Sequence, residues 1–265
     1  MRILIIGPGR AGGALALAAA GAGHEICGLV VRSPLRWELG FPLVESRWPA
    51  ADLVLIATRD GEIAEAARQA VDHHPPAAIV HLSGATSISV LSGLAARGWE
   101  VGSFHPLQSL PDPQEGARAL AGSWVAVTAS GHLRELLRGL AASLDMQDFD
   151  LDDQVRSIYH TGAAAASNFL VAALDLAQQF FEKARVPFAA AEPLSRAVVG
   201  HAFALGARPS LTGPIVRQDW ETVRLQRSAA AELGEEALRQ FDLLAAATAI
   251  TASVVLPADL KVPRD

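Results

Sequence analysis

Along the first half of the chain, short apolar runs alternate with stretches of helical character. Residues 2–6 form an apolar run too short for a helix and closed by Gly7. Residues 11–20 are rich in Ala and Leu and favour a helix. The same rhythm predicts strands over 25–31, 52–57, 78–82, 101–104 and 124–128. Between them it predicts a helix over 62–71 and a Ser/Thr-capped stretch over 87–97. Strands alternating with helices imply a parallel sheet covered on both faces. The unbroken run Leu53-Val54-Leu55-Ile56 suits a central strand buried on both sides.

The pattern changes near residue 150. Beyond it the strand signal fades, and a long Ala-rich helix is predicted over 153–184, with Leu170, Leu174 and Ala177 at helical spacing. Pro187 and Pro193 punctuate the start of the next helix, which runs to about Gly206. Gly213-Pro214 opens another, with Thr212 as its N-cap, and residues 235–254 form the last. The expected fold is α/β: a doubly wound parallel sheet over 1–150, then an all-α domain over 151–265.

Composition narrows the function classes. At 265 residues, 51% hydrophobic and 19% charged, the chain can bury a large core and is not disordered. A net charge of −6 argues against a protein that tracks nucleic-acid phosphates. The single cysteine, Cys27, can make neither an internal disulfide nor a cysteine-based zinc site. His73 and His74 are adjacent, so their side chains point different ways, and no metal-ligand cluster is expected. The first 23 residues have the outline of a signal peptide, but Gly7-Pro8-Gly9-Arg10 interrupts the apolar run. No stretch long enough to span a membrane is expected, and the protein reads as soluble and cytoplasmic.

Gly7-Pro8-Gly9-Arg10-Ala11-Gly12 matches G-x-G-x-x-G between a strand and a helix. Gly7 would permit the tight turn. Gly9 would let the backbone approach a pyrophosphate, and Gly12 would let the helix pack close to the sheet. With Arg10 and Ala11 in the first helical turn, this is a dinucleotide site of the Rossmann type. The second strand ends at Arg32-Ser33, with Arg36 close behind, where an NAD site would carry an acidic residue. A guanidinium and a hydroxyl suit a 2′-phosphate, so NADP is the expected cofactor. Ala57 and Thr58, at the end of the third strand, would face the nicotinamide ribose, and Asp60 would cap the next helix.

Two loops at the same edge carry candidate chemistry. His81-Leu82-Ser83-Gly84 follows one strand and Phe104-His105-Pro106-Leu107 the next. His105 can donate or accept a proton near neutral pH. His160, Ala164 and Asn168 are spaced by four, so they share one helix face. His105 or His160 would relay a proton, while Asn168 and Ser83 would orient substrate or nicotinamide. Arg217 and Asp219 could form a surface pair or reach a site.

These motifs together resemble a bacterial Rossmann-like family whose C-terminal half is a domain of unknown function. The resemblance rests on the GPGRAG turn, His-Leu-Ser-Gly at 81–84, Ser-Phe-His-Pro-Leu-Gln at 103–108, and Tyr-His at 159–160. It also rests on Ala-Ser-Asn-Phe-Leu at 166–170 and Leu-Thr-Gly-Pro-Ile-Val-Arg at 211–217. More widely the chain resembles 6-phosphogluconate and β-hydroxyacid dehydrogenases, pyrroline-carboxylate reductases and deazaflavin-dependent NADP reductases. His105-Pro106 resembles the His-Pro loop of prephenate dehydrogenases, where the histidine contacts substrate. The resemblance implies an NADP-dependent oxidoreductase and a homodimer through the C-terminal helices. It implies hydride transfer with a small carbonyl, imine or hydroxyl substrate in an interdomain cleft. Two positions depart from it. Ala164 stands where β-hydroxyacid dehydrogenases carry a lysine four residues before the asparagine, and Gln218 stands where the family has glycine. The missing lysine motivates an alternative, a non-catalytic NADP(H)-binding or sensing protein.

Overall fold

The computed structural model describes residues 1–34, 36–45, 47–73 and 77–261. His74 lies outside them. The chain divides into two compact units, Met1–Ala164 and Ala165–Asp265.

The first unit is built on an eight-stranded sheet. Its strands are β1 (Arg2–Ile6), β2 (Glu25–Val30), β3 (Leu43–Val44), β4 (Leu53–Ile56), β5 (Ala78–His81), β6 (Glu100–Leu107), β7 (Trp124–Thr128) and β8 (Gln147–Asp150). They lie in the order β3-β2-β1-β4-β5-β6-β7-β8. Its helices are α1 (Arg10–Gly21), α2 (Ile63–His73), α3 (Ser92–Ala95), α4 (Pro113–Leu120) and α5 (Gly131–Ser143), followed by the start of α6 (Arg156–Lys183).

Alternation along the strands sorts the core into two layers. Ile3, Ile5, Leu53, Leu55, Val80, Phe104, Val125 and Val127 face one side, where Leu15 and Ala16 of α1 and Leu133, Leu137 and Leu140 of α5 cover them. Leu4, Ile6, Val54, Ile56 and Ile79 face the other, against Ile63, Ala66, Ala67 and Ala70 of α2 and Leu94 of α3. This two-sided burial is the reason the central strands read as continuous apolar runs.

Four features differ from the sequence reading. All strand pairs are parallel except β6 with β7, which is antiparallel. The edge strand β8, whose sequence is Gln-Asp-Phe-Asp, has only one apolar side chain and no strand signature. Helix α4 owes its start to Asp112, whose side chain accepts the Glu115 N–H, and to Pro113 in the first turn. Asp60 does not cap the next helix by its side chain. It opens a 3-10 turn, Asp60–Glu62, ahead of α2.

The second unit contains the rest of α6, then α7 (Glu192–Leu205), α8 (Ala207–Ser210), α9 (Trp220–Leu233) and α10 (Glu235–Ala252). Ile215, Val223, Ala245, Ala249, Leu256 and Leu260 form its core. Arg227 grips the buried Asp242 through two hydrogen bonds of 2.8 Å, tying α9 to α10. Here the sequence reading needs correction. No α-helix opens at Gly213-Pro214 behind a Thr212 cap. Residues 213–218 form turns, and α9 starts at Trp220, because Asp219 accepts both the N–H and the hydroxyl of Thr222. Gln218 has φ +59°, the left-handed conformation that glycine adopts without strain. That backbone requirement accounts for a family glycine at this position.

Candidate functional site

Gly7 ends β1 at φ +82°, and a Cβ there would lie 2.8 Å from Thr58 Cγ2. A Cβ on Gly12 would lie 2.7 Å from Ala57 Cβ and 2.8 Å from the Gly7 carbonyl oxygen. Two glycines are thus required for α1 to approach the end of β4. Gly9 is different, because nothing lies within 4 Å of where its Cβ would be. It is the residue before α1, and no side chain caps that helix among the described residues. The first N–H groups of α1 therefore face open space with the positive end of the helix dipole.

That space is a cavity of about 480 Å³. It brings together Gly7, Gly9, Arg32, Ser33, Arg36, Ala57 and Thr58, seven of the ten positions expected to hold a cofactor. Arg10 and Ala11 stand beside it in the first turn of α1, and Gly12 is buried behind it. The cavity also recruits Arg59, Glu62 and Trp37, which the motif did not reveal. Arg32 pairs with Glu62 at 3.3 Å, and the Arg36 guanidinium lies 5.1 Å from the Trp37 ring centre. The Thr58 hydroxyl is buried without a hydrogen-bond partner. An uncapped helix end, an open glycine and an unpaired hydroxyl in one cavity fit the phosphates and ribose of a dinucleotide.

Farther along the same sheet edge, His105 lies on a strand rather than in a loop. Ser103 is the last β6 residue paired with β5, opposite His81. The next four residues continue because β7 pairs with them, His105 opposite Ala126. The His105 ring meets Tyr159 of α6, with Nδ1 2.7 Å from the tyrosine oxygen. His160 packs against it edge to face at 5.8 Å. Gly84 lies against both rings. A Cβ there would come within 2.5 Å of His160 Nδ1 and 2.7 Å of His105 Nε2. His160 Nδ1 is buried without a partner. Burial first, then the neighbouring His160 and Arg156, hold the His105 pKa down at about 4. Burial pushes Tyr159 up to about 12, against the pull of Arg156. Both groups are neutral at neutral pH.

The residue that organises this edge is Arg156, and the sequence reading did not single it out. It is almost wholly buried at the start of α6. It donates to Asp153 at 3.1 Å, to the Ser83 carbonyl at 3.1 Å, and to the hydroxyls of Ser103 and Thr128. Asp153 in turn accepts from the Ser87 hydroxyl and from the Ile88 N–H. Ser83 serves its own turn, accepting from the Ala85 and Thr86 N–H groups and donating to the Thr86 hydroxyl. Asn168 is exposed in the second unit. His73 stacks on Trp48 at 5.3 Å, and among the described residues no cluster could hold a metal.

His81 ends β5 fully buried, with neither ring nitrogen hydrogen-bonded. Burial, aided by Arg156, lowers its pKa to about 4. Below pH 6.5 the unfolded chain takes up a proton that the folded chain refuses. Its contribution is therefore complete above pH 6.5 and is lost as pH falls toward 4, by about 3 kcal/mol. His81→Leu is expected to flatten the slope of unfolding free energy against pH in that window. Denaturant titrations at several pH values would show it, and an unchanged slope would contradict the assignment.

Residues 123–248, just under half of the chain, match the family model described as a domain of unknown function, DUF2520. The match bears out the resemblance read from the motifs of the C-terminal half. No curated protein matches the chain. Among solved structures, a Bacteroides fragilis protein provisionally named an NADP oxidoreductase has 23% identity and a TM-score of 0.81, over 93% of this chain and 97% of that one. An imine reductase from Myxococcus stipitatus in complex with NADP+ has 15% identity and a TM-score of 0.66, over 95% of each chain. Pyrroline carboxylate reductase from Plasmodium falciparum with NADP bound has 10% identity and a TM-score of 0.60, over 95% of this chain and 98% of that one. These likenesses establish a Rossmann-type fold followed by helices. Among the described residues, no helix is long and apolar enough to cross a membrane.

Proposed function

We propose that the chain is an NADP-dependent oxidoreductase acting on a small carbonyl or imine, or on the corresponding hydroxyl compound. The observation that carries this reading is the cavity of Gly7, Gly9, Arg32, Ser33 and Thr58, at the same sheet edge as the His105–Tyr159 pair. The names of the similar structures agree with it. A reduced nicotinamide bound there would supply hydride to the substrate carbon.

The protein's own part is binding, orientation and a proton. The Gly9 turn and the first turn of α1 hold the pyrophosphate. Arg32 exchanges Glu62 for the 2′-phosphate, a stronger, dianionic partner, with Ser33 and Arg36 beside it. Tyr159 donates its proton to His105 Nδ1, which leaves the imidazole proton on Nε2, next to Gly84 and His160. That N–H polarises the substrate oxygen or nitrogen and gives it a proton as hydride arrives. Nδ1 takes the Tyr159 proton as Nε2 loses its own; a proton from solvent water then returns to Nε2 and Nδ1 gives its proton back to the tyrosinate, so that both groups return to their starting state. Arg156, whose charge favours tyrosinate, eases the exchange.

The second unit leaves large side chains in solvent, including Phe203 at 87%, Val255 at 80% and Ile250 at 72% exposure. Surface of this kind supports a homodimer through the C-terminal helices.

The test is NADPH oxidation across a panel of ketones, aldehydes and cyclic imines. Substrate-dependent oxidation by one class is expected. Tight NADPH binding with no oxidation by any class would overturn the catalytic reading. It would favour a non-catalytic nucleotide-binding protein, the alternative raised by Ala164.

A further inference from the structure

Among the described residues that line the dinucleotide cavity, Glu62 is the only carboxylate, set against the guanidinium groups of Arg32, Arg36 and Arg59. The chain fixes it there. Beyond β4 the 3-10 turn Asp60–Glu62 is closed by the Glu62 N–H, which donates to the Arg59 carbonyl at 2.9 Å. Ile63 follows at the start of α2, fully buried against the sheet. Anchored on both sides, Glu62 meets Arg32, just beyond β2, at 3.3 Å. The next carboxylate, Glu65, does not compete for Arg32, because it accepts from Arg68 and Gln69 on its own helix.

The two side chains are 48% and 44% exposed. An ion pair this open to water adds little to stability, so it gives way readily to a better partner. Its place matters more than its strength. Arg32 and Glu62 are already in contact, so a group that the guanidinium touches is within reach of the carboxylate too. If Arg32 meets the substituent at the adenosine 2′ position, Glu62 meets the same substituent. The two nicotinamide cofactors differ there. A 2′-phosphate is dianionic, and a carboxylate repels it. A 2′-hydroxyl is a donor that a carboxylate accepts, the part played by the acidic residue of NAD sites.

We infer that Glu62 is a specificity-determining residue of the cofactor site, opposing the 2′-phosphate of NADP(H) and accepting the 2′-hydroxyl of NAD(H). The assignment rests on the reading of this cavity as the dinucleotide site. It makes NADH a weaker second cofactor of the chain. It also holds NADPH affinity below what Arg32, Ser33 and Arg36 would give without a carboxylate beside them.

The experiment is calorimetric titration of the full chain, wild type and Glu62→Gln, with NADPH and with NADH. Glutamine keeps the size of the side chain and removes its charge. NADPH should bind the variant about fivefold tighter. NADH should bind it about threefold weaker, because a neutral amide oxygen accepts less strongly than a carboxylate. The gain for NADPH should shrink when sodium chloride is raised from about 0.05 M to about 0.5 M, since its origin is electrostatic. A carboxylate that only holds Arg32 in place would act otherwise: its loss would weaken NADPH and leave NADH unchanged. That result, or an unchanged ratio of the two affinities in a variant that melts like the wild type, would overturn the inference. Failure of the cofactor reading looks different. Neither nucleotide would then bind the wild type, and the inference would fall with that reading.

Discussion

His105→Asn is expected to lower kcat by about 10²–10³-fold, the range for losing a positioned general acid, with NADPH affinity unchanged. The substitution removes Nε2, the His105 ring nitrogen that faces Gly84, but touches nothing in the dinucleotide cavity. Tyr159→Phe, which removes only the partner of Nδ1, should cost about tenfold. The pH profile separates this role from packing. His105 titrates near 4 and Tyr159 near 12, so wild-type kcat should stay level from pH 6 to 9. An ordinary histidine would instead give a limb near 6.5. A His105→Asn variant within a few-fold of wild type would remove the proposed donor.

Arg156→Met is expected to destabilise the fold by about 3–5 kcal/mol. The guanidinium joins the Ser83 carbonyl, Ser103 on β6, Thr128 on β7 and Asp153 ahead of α6. Methionine fills much of its volume and satisfies none of these groups. The buried Ser103 hydroxyl and the Asp153 carboxylate lose a charged donor. Acid should narrow the gap. Burial pushes Asp153 up, but Ser87, Ile88 and Arg156 outweigh it and hold its pKa below the usual carboxylate value. Its contribution is therefore present above about pH 4 and is lost as pH falls through the folded pKa. The difference between wild type and Arg156→Met, read from denaturant titrations, should shrink below pH 4. A loss under about 1 kcal/mol at pH 7 would mean that the clamp carries little stability.

The parts of the fold and site that were legible in the sequence are those with local causes. The Gly7-Pro8-Gly9-Arg10-Ala11-Gly12 turn is such a part, because positive φ at Gly7 and close approach at Gly12 restrict those positions to glycine. The two-sided burial of β1 and β4 shows in their apolar runs. Arg156 was hidden because three of its four partners lie 28, 53 and 73 residues away, and a neighbouring Asp153 alone does not mark it as buried. The pairing of Arg32 with Glu62 was hidden for the same reason. The two meet only after β1 pairs with both β2 and β4. The antiparallel pairing of β7 left no trace, since apolar alternation is the same for either direction.

The central claim is that the cavity at the end of β1 holds NADP(H). Isothermal titration with NADPH and NADH tests it on the wild type, Gly9→Val and Arg32→Glu. The wild type should prefer NADPH by at least about tenfold, from one charge-assisted pair to the 2′-phosphate. Arg32→Glu should abolish that preference. Gly9→Val, whose side chain enters open space, should melt like the wild type and lose binding of both nucleotides. Equal affinity for the two nucleotides, or binding that survives Gly9→Val unchanged, would contradict it.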